Sequence, residues 1–243
     1  MQKIITAALL ASAATMASAA PVNLSTWTNE GNGNWTIAAD QNSVFQSING
    51  NPTVFYSDFN GQGLQLSGEI TVETTSDDDF IGFVLGFQPG DVSAATTDFI
   101  LIDWKQGNQA SGNCLGAAGL AVSHVSGGLP SSNISWCHTS PGITELARGV
   151  NVGNVGWLDN TTYEFDLVFT SSVIQVFVNG VKEIDISGSF ADGRFGFYNY
   201  SQQSVRYSAI EETVAPPVTD VPEPASIALV GLALAGLGAM RRR

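Results

Sequence analysis

Apolar and polar residues alternate with a period of two along much of this chain, and no other feature of the sequence restricts its fold as strongly. The alternation is clear in residues 64–72 and again in residues 163–169. Because successive side chains of a β-strand point to opposite faces, each segment is predicted to be a strand buried on one face. A helical period is nearly absent, so the fold is predicted to be all-β.

Turn signals separate these segments and indicate how the strands connect. Asn179-Gly180 lies between two alternating segments, where this dipeptide favours a two-residue hairpin. Residues 80–87 and 99–102 are apolar on both faces, which is typical of central strands. Many short strands with turns rich in Gly, Asn and Ser predict a β-sandwich. The pattern also predicts that residues 195–209 continue the meander and that residues 141–149 form a short helical turn.

The first residues have the layout of a secretory signal peptide. Lys3 provides a positive start, an apolar run follows, and Ala17-Ser18-Ala19 places small residues where signal peptidase cuts. The run is too short to span a membrane and has no polar face at helical spacing. We expect a signal helix over residues 1–19, cleavage between Ala19 and Ala20, and a β-domain over residues 20–212.

A second targeting signal lies at the other end of the sequence. Pro222, Glu223 and Pro224 are followed by an apolar stretch over residues 225–240 and then by three arginines. As a helix this stretch is about 24 Å long, shorter than the ~30 Å hydrocarbon core of a bilayer. The arginines favour the cytoplasmic side. Residues 213–224 are predicted to be an extended, Pro-rich linker.

This order of Pro-Glu-Pro, short apolar helix and basic cluster resembles the PEP-CTERM sorting tail of Gram-negative bacteria. The resemblance implies that residues 225–243 insert transiently in the membrane and are handled by the membrane protease exosortase. It also implies that a membrane-anchored precursor leads to a protein at the cell surface or in the medium. A plain C-terminal membrane anchor is the alternative.

Between the two signals the chain is strongly acidic. Five basic residues remain there, against 21 acidic residues up to Asp220. This excess of negative charge argues against nucleic acid or anionic lipid as a partner. It is compatible with divalent cations and with neutral glycans, and solubility alone also explains it.

The chain contains two cysteines, Cys114 and Cys137. In an exported protein such a pair favours a disulfide. Closing a loop of this length contributes about 3 kcal/mol in the chain-entropy model. Two buried free thiols are the alternative, whereas a structural zinc site needs paired Cys or His spacings that do not occur here.

Several stretches of the sequence resemble one family. Residues 56–61 read YSDFNG, residues 77–88 read DDDFIGFVLGFQ, residues 98–106 read DFILIDWKQ and residues 193–201 read GRFGFYNYS. In this order they are similar to the thrombospondin C-terminal domain. The resemblance implies a concanavalin-type, lectin-like jelly-roll sandwich, association with calcium, and non-catalytic contacts at a cell surface or in a matrix. The calcium-rich aspartate repeats of thrombospondins do not occur in this sequence, so animal partners are not implied.

Asp77, Asp78 and Asp79 form the most specific candidate for a metal site. Adjacent carboxylates repel one another unless a cation or water satisfies them, and calcium takes six to eight oxygen ligands. A solvated turn before a buried strand is the alternative, which spacing alone slightly favours. The family resemblance favours calcium, with Asp98 as a further ligand.

Glu183-Ile184-Asp185 is similar to the Glu-x-Asp core of glycosidases built on the same kind of sandwich. Those enzymes need a further carboxylate a few residues on, where this chain has Gly188 and Ser189. Glu183 and Asp185 are therefore predicted to form the polar face of a hairpin strand and not a catalytic pair.

Other residue types that carry chemistry are few. Trp136 and Trp157 lie in loop-rich segments and are the better candidates for stacking on sugars, although most tryptophans in a domain of this size pack in the core or at an edge. Cys137 and His138 are neighbours that a strand would point to opposite faces, which excludes a nucleophile–base pair. His124 is expected to be exposed.

The sequence supports three functions. The first is a surface-sorted, calcium-associated binding module with an extracellular polysaccharide or matrix protein as its partner. The second is a polysaccharide hydrolase on the same fold. The third is a structural matrix protein without a small ligand, which the sequence does not separate from the first. Catalysis is not expected.

Overall fold

The computed structural model describes residues 19–216, so the predicted signal helix and sorting helix lie outside the described residues. In that part of the chain, none of the helices is long and apolar enough to cross a membrane. The helical elements are a 3-10 turn at Leu24–Thr26 and α1 (Ser132–Ser135). The strands are β1 (Ala20–Pro21), β2 (Thr28–Gly31), β3 (Trp35–Ile37), β4 (Val44–Gln46), β5 (Thr53–Asn60), β6 (Leu64–Val72), β7 (Phe80–Phe87), β8 (Phe99–Lys105), β9 (Gln109–Ser111), β10 (Cys114–Gly116), β11 (Gly119–Val125), β12 (Ile143–Arg148), β13 (Thr162–Phe169), β14 (Val173–Val178), β15 (Val181–Ser187), β16 (Arg194–Tyr200) and β17 (Val205–Val214).

Two antiparallel sheets form a sandwich, as the alternation predicted. The first sheet has the order β15-β14-β13-β6-β17-β4-β3, with β1 paired to β17. The second sheet has the order β12-β11-β8-β7-β16-β5-β2, and β9 and β10 form a separate hairpin. The edge strands β12 and β15 of the two sheets approach each other. The predicted hairpin at Asn179-Gly180 is confirmed, because β14 pairs with β15 and both turn residues have positive φ (49° and 73°), as a type I′ turn requires.

An aromatic core fills the space between the two sheets. The rings of Phe197 and Tyr207 stack with their centroids 4.3 Å apart, and Phe83 lies 4.5 Å from Phe165 across the interface. Trp27 stacks on Phe197 at 5.1 Å. These rings join the inner faces of both sheets into one hydrophobic cluster.

The second sheet is buried on its outer face as well. Every residue of β7 and β8 is buried, which confirms the prediction of central strands. Residues 126–142, here called the cap, fold over this face and contribute Leu129, Ile134 and Trp136 to a second hydrophobic cluster. The second sheet is therefore the middle layer of three.

Two local predictions are wrong. Residues 195–209 do not continue a meander, because β16 belongs to the second sheet and β17 to the first. A register shift between Ser208 and Glu211 gives Ala209 a positive φ of 52° and buries Ile210 in its place. Residues 141–149 contain strand β12, which pairs with β11, and the helical turn lies earlier, at α1.

The last strand extends past the predicted start of the linker at residue 213. Thr213 and Val214 pair with Gln65 and Leu64, because β6 begins early enough to give both residues a partner.

Candidate functional site

The three consecutive aspartates lie in the loop that leads into β7. One carboxylate oxygen of each residue lies within 4.8 Å of the others. Asp77 has a φ of 89°, which is uncommon outside glycine, and its carboxylate accepts a hydrogen bond from the Asn49 amide. The structure therefore groups Asp77, Asp78 and Asp79 at one end of the second sheet.

Lys105 supplies a positive charge to this group from inside the protein. Its side chain is fully buried, and Nζ lies 2.6 Å from Oδ1 of Asp79 and 3.4 Å from Oδ1 of Asp78. The ammonium also lies 4.9 Å from the ring centre of Trp136, which is within cation–π range. Burial raises the pKa of Asp79 above its ordinary value, even though the hydrogen bond and charge of Lys105 act to lower it. Sequence reasoning missed Lys105, although a lysine at the end of a mostly apolar strand was a signal for a buried ion pair.

The aspartates fit a calcium ion only in part. Asp79 is committed to Lys105, and its carbonyl accepts a hydrogen bond from Trp157 Nε1 at 3.1 Å. The carbonyl of Asp78 accepts from Lys105 Nζ at 3.0 Å and from the Gln106 amide at 3.1 Å. Side-chain oxygens of Asp77 and Asp78 remain, and the Asp78 side chain is 39% exposed. Two carboxylates leave most of the six to eight positions around calcium to water.

Asp98 does not join this group. It precedes β8, and β8 runs antiparallel to β7, so the start of β8 lies beside the end of β7. The seven residues of β8 separate Asp98 from the aspartate loop by roughly 20 Å. Because the connection between two antiparallel strands reverses their direction, the starts of consecutive strands lie at opposite ends of a sheet.

Asp98 instead lines a cleft of about 510 Å³ between the edge strands β12 and β15. His124 Nε2 lies 2.8 Å from Asp98 Oδ1 and holds that oxygen in place. The walls combine apolar side chains with hydroxyl groups, supplied mainly by Leu146, Ile186, Ser187, Ser189 and Phe190. A cleft with apolar walls and a few polar groups is the usual form of a small-ligand site.

The ring of Phe190 is held in this cleft by its own loop. The Phe190 amide donates to the Ser171 carbonyl at 3.1 Å, and its carbonyl accepts from Gln62 Nε2 at 2.9 Å. A Cβ at Gly188 would come within 2.9 Å of Phe190 Cζ, so glycine at this position lets the ring lie against the backbone. Gly188 and Ser189, which stand where a glycosidase would have its further carboxylate, thus line the cleft.

Glu183 is buried. The prediction that it lies on the polar face of a hairpin strand is therefore wrong. Only 3% of Glu183 is exposed, and its carboxylate accepts hydrogen bonds from the Asn151 amide at 2.7 Å and the Val152 amide at 3.2 Å. A register shift between Val176 and Phe177 breaks the alternation on β15. Asp185 is exposed, as predicted, and pairs with Lys182.

The two tryptophans that were candidates for stacking on sugars are buried, which is the more common role of tryptophan in a domain of this size. Trp136 is 8% exposed and donates to the Gln109 carbonyl, and Trp157 is fully buried beneath its own loop. Both loops fold back onto the second sheet, which the loop-rich sequence did not indicate.

A second buried ion pair joins the cap to β8. His138 Nε2 is 2.9 Å from Oδ2 of Asp103, and both side chains are buried. Burial lowers the pKa of His138, but the negative charges of Asp103 and Glu145 outweigh burial and raise it above its ordinary value. The neighbouring Cys137 is joined to Cys114 in a disulfide with the Cα atoms 5.6 Å apart.

We expect the stability of the protein to fall as pH rises from about 6.5, because His138 has a higher pKa in the folded chain than in the unfolded one. The contribution of the Asp103–His138 pair is complete below the unfolded value and is lost as pH rises through the folded value. Thermal unfolding across this range should show the decline in the native protein and a flatter profile in His138→Asn, whose side chain tolerates the positive φ of 48°. A decline that persists in His138→Asn but disappears in His124→Asn would contradict this assignment.

The remaining predicted site residues concern targeting. Ala20 begins β1, which pairs with β17, and the predicted cleavage bond between Ala19 and Ala20 directly precedes this strand. Pro222, Glu223 and Pro224 lie outside the described residues.

Two families match this chain. Residues 30–215 match the thrombospondin C-terminal region, and residues 220–243 match the PEP-CTERM protein-sorting motif. Among curated proteins, thrombospondin-2 of Gallus gallus is 28% identical and thrombospondin-3 of Homo sapiens 29% identical, each over 199 residues and 73% of this chain. The alignments cover 16% and 20% of these relatives, so the chain matches only a small part of their length. The sorting motif indicates export, a membrane-anchored precursor at the cell surface, and processing by exosortase.

Solved structures with a similar fold include sugar-binding proteins. The carbohydrate binding module CBM66 from Bacillus subtilis aligns with a TM-score of 0.56 at 12% identity, covering 79% of this chain and 97% of that one. The exoplasmic/lumenal domain of VIP36 in its Ca²⁺/Man3GlcNAc-bound form aligns with a TM-score of 0.51 at 12% identity, covering 84% and 91%. At these identities the likeness establishes the fold alone, and it confirms the predicted lectin-like sandwich.

Proposed function

Because the chain belongs to the family of the thrombospondin C-terminal region and carries a PEP-CTERM sorting motif, we propose that it is an exported, non-catalytic module that binds polysaccharide. Its ligand lies in the extracellular matrix or exopolysaccharide of a Gram-negative bacterium. The cleft beside Asp98 is the observation that carries this proposal. The family relationship supports a binding role. The geometry also argues against catalysis by Glu183 and Asp185, because Glu183 is held by backbone amides and Asp185 pairs with Lys182.

The chemistry of the cleft matches that of a sugar ring. A pyranose has apolar C–H faces and a rim of hydroxyl groups, so it needs an apolar or aromatic surface next to hydrogen-bond acceptors. Phe190 and Leu146 provide the apolar surface. Asp98 provides a carboxylate, which forms stronger hydrogen bonds than a neutral acceptor. Because His124 holds Oδ1 of Asp98, Oδ2 is left to accept from a ligand.

Phe190→Ala should weaken polysaccharide binding by about tenfold or more, because it removes the aromatic wall of the cleft and the area it buries against a ligand. A glycan array with the purified mature protein identifies a ligand, and isothermal titration measures the loss. Leu115→Ala is the matched control, since Leu115 is 54% exposed and lies outside the cleft. Equal affinities of Phe190→Ala and the native protein would place the ligand elsewhere, and an array without any bound glycan would favour a purely structural matrix protein.

We further propose that Asp77 and Asp78 bind calcium, with Asp79 held by Lys105 and Asp98 uninvolved. Two carboxylates and water predict a weak site, with a Kd of about 10⁻⁴–10⁻³ M, typical of extracellular modules. Calcium at ten times Kd should stabilise the protein by about 1.4 kcal/mol. Calorimetric titration and melting with and without chelator measure both quantities, and Asp77→Asn with Asp78→Asn should abolish them while Asp58→Asn should not. A melting temperature that calcium leaves unchanged would remove the metal from the proposal.

A further inference from the structure

We propose that the cleft beside Asp98 selects uncharged sugar residues and rejects anionic ones, an inference that rests on the binding function proposed above. The lining contains one carboxylate, that of Asp98, whose side chain is 71% exposed. Among the described residues that line the cleft, none is a lysine or an arginine. The one imidazole in the lining, that of His124, is already paired with Asp98. An acidic sugar therefore meets a like charge there without a free basic partner.

Hydrogen-bond roles point the same way. An ionised carboxylate is an acceptor only, so Asp98 needs a donor on the ligand. The hydroxyl groups of a neutral sugar are donors, whereas a uronate carboxylate or a sulfate ester is itself an acceptor. Replacing a hydroxymethyl group by a carboxylate at the same position thus removes a hydrogen bond and adds repulsion.

The lysines and arginines of the domain do not supply a positive charge to the cleft. In residues 19–216 four of them form ion pairs: Lys105 with Asp79, Arg148 with Glu145, Lys182 with Asp185 and Arg206 with Glu73. The fifth, Arg194 at the start of β16, does not line the cleft. The net charge of the whole chain is −13, so its general field also repels a polyanion.

The repulsion between Asp98 and an anionic sugar is large enough to discriminate against that sugar. Two like charges a few ångströms apart at a solvent-exposed site repel strongly enough for about a fivefold to tenfold loss of affinity. The loss is larger where water is excluded. We therefore expect each neutral oligosaccharide to bind about fivefold to tenfold more tightly than its uronate counterpart.

Titration of the mature protein with matched pairs tests this selectivity: oligomannan against oligomannuronate, and oligogalactan against oligogalacturonan. Asp98→Asn keeps the shape of the side chain, removes its charge and adds an amide donor. It should lower the ratio of anionic to neutral Kd by about fivefold or more. Asp58→Asn, at an exposed position on β5, should leave that ratio unchanged, and circular dichroism confirms that both variants are folded.

The outcomes separate the two proposals. A native protein that binds the anionic member of a pair as tightly as the neutral one overturns the selectivity and leaves the binding function standing. So does an Asp98→Asn variant with an unchanged ratio. A protein that binds no glycan of either class overturns the binding function itself.

Discussion

Lys105→Met should destabilise the protein by about 3–5 kcal/mol, because it leaves the Asp79 carboxylate buried without its counter-charge. Lys105 is fully buried and Asp79 is 2% exposed, so water does not replace the lost ammonium. The substitution also removes a donor from the Asp78 carbonyl and from Gln109 Oε1. Urea unfolding of the native protein and the variant measures the loss.

Two further variants make the Lys105 result specific. Lys182→Met breaks an ion pair whose side chains are 46% and 43% exposed, and it should cost less than about 1 kcal/mol. Lys105→Met combined with Asp79→Leu removes both buried charges and should recover most of the loss. If Lys105→Met costs no more than Lys182→Met, the buried pair does not hold this end of the sheet together.

Trp157→Ala should have an effect of similar size, about 3–5 kcal/mol, because it opens a large cavity in the core. Trp157 is fully buried, and its indole Nε1 donates to the Asp79 carbonyl at 3.1 Å. The preceding Gly156 lies so close to β8 that a Cβ would come within 1.8 Å of the Gln106 carbonyl, so the loop has little room to collapse into the cavity.

Chemical denaturation of two companion variants separates packing from hydrogen bonding. Trp157→Phe keeps much of the volume and loses the indole donor, which should cost about 1–3 kcal/mol through the unpaired Asp79 carbonyl. Leu158→Ala, at a position 62% exposed, should change stability by less than about 0.5 kcal/mol. A Trp157→Ala variant as stable as Leu158→Ala would show that this loop contributes little to the core.

Period-two alternation was sufficient to predict several of the long strands, because it reports which side of a strand is buried. It located β6, β13 and the β14–β15 hairpin, and uninterrupted apolar runs located β7 and β8 as central strands. Both family resemblances rested on motifs in a fixed order and are confirmed by the family matches. The all-β, lectin-like sandwich follows from these two kinds of signal together.

The arrangement of the sites could not be predicted in the same way, because each depends on contacts between distant segments. Two register shifts broke the alternation and hid the burial of Glu183 and Ile210. Antiparallel pairing moved Asp98 to the opposite end of the sheet from the aspartate loop. The cleft draws on strands β7, β8, β11, β12 and β15, and no local pattern in the sequence joins them.

Burial of the second sheet on both faces has a consequence for recognition. The cap covers the face of the second sheet that does not pack on the first sheet. The second sheet therefore cannot offer a broad concave platform to a partner. On this side of the fold, contact with a polymer is left to the rims, where connecting loops meet. Loop sequences at a rim can therefore diversify, and specificity can change with them, while the stacked layers that give the protein its stability stay the same.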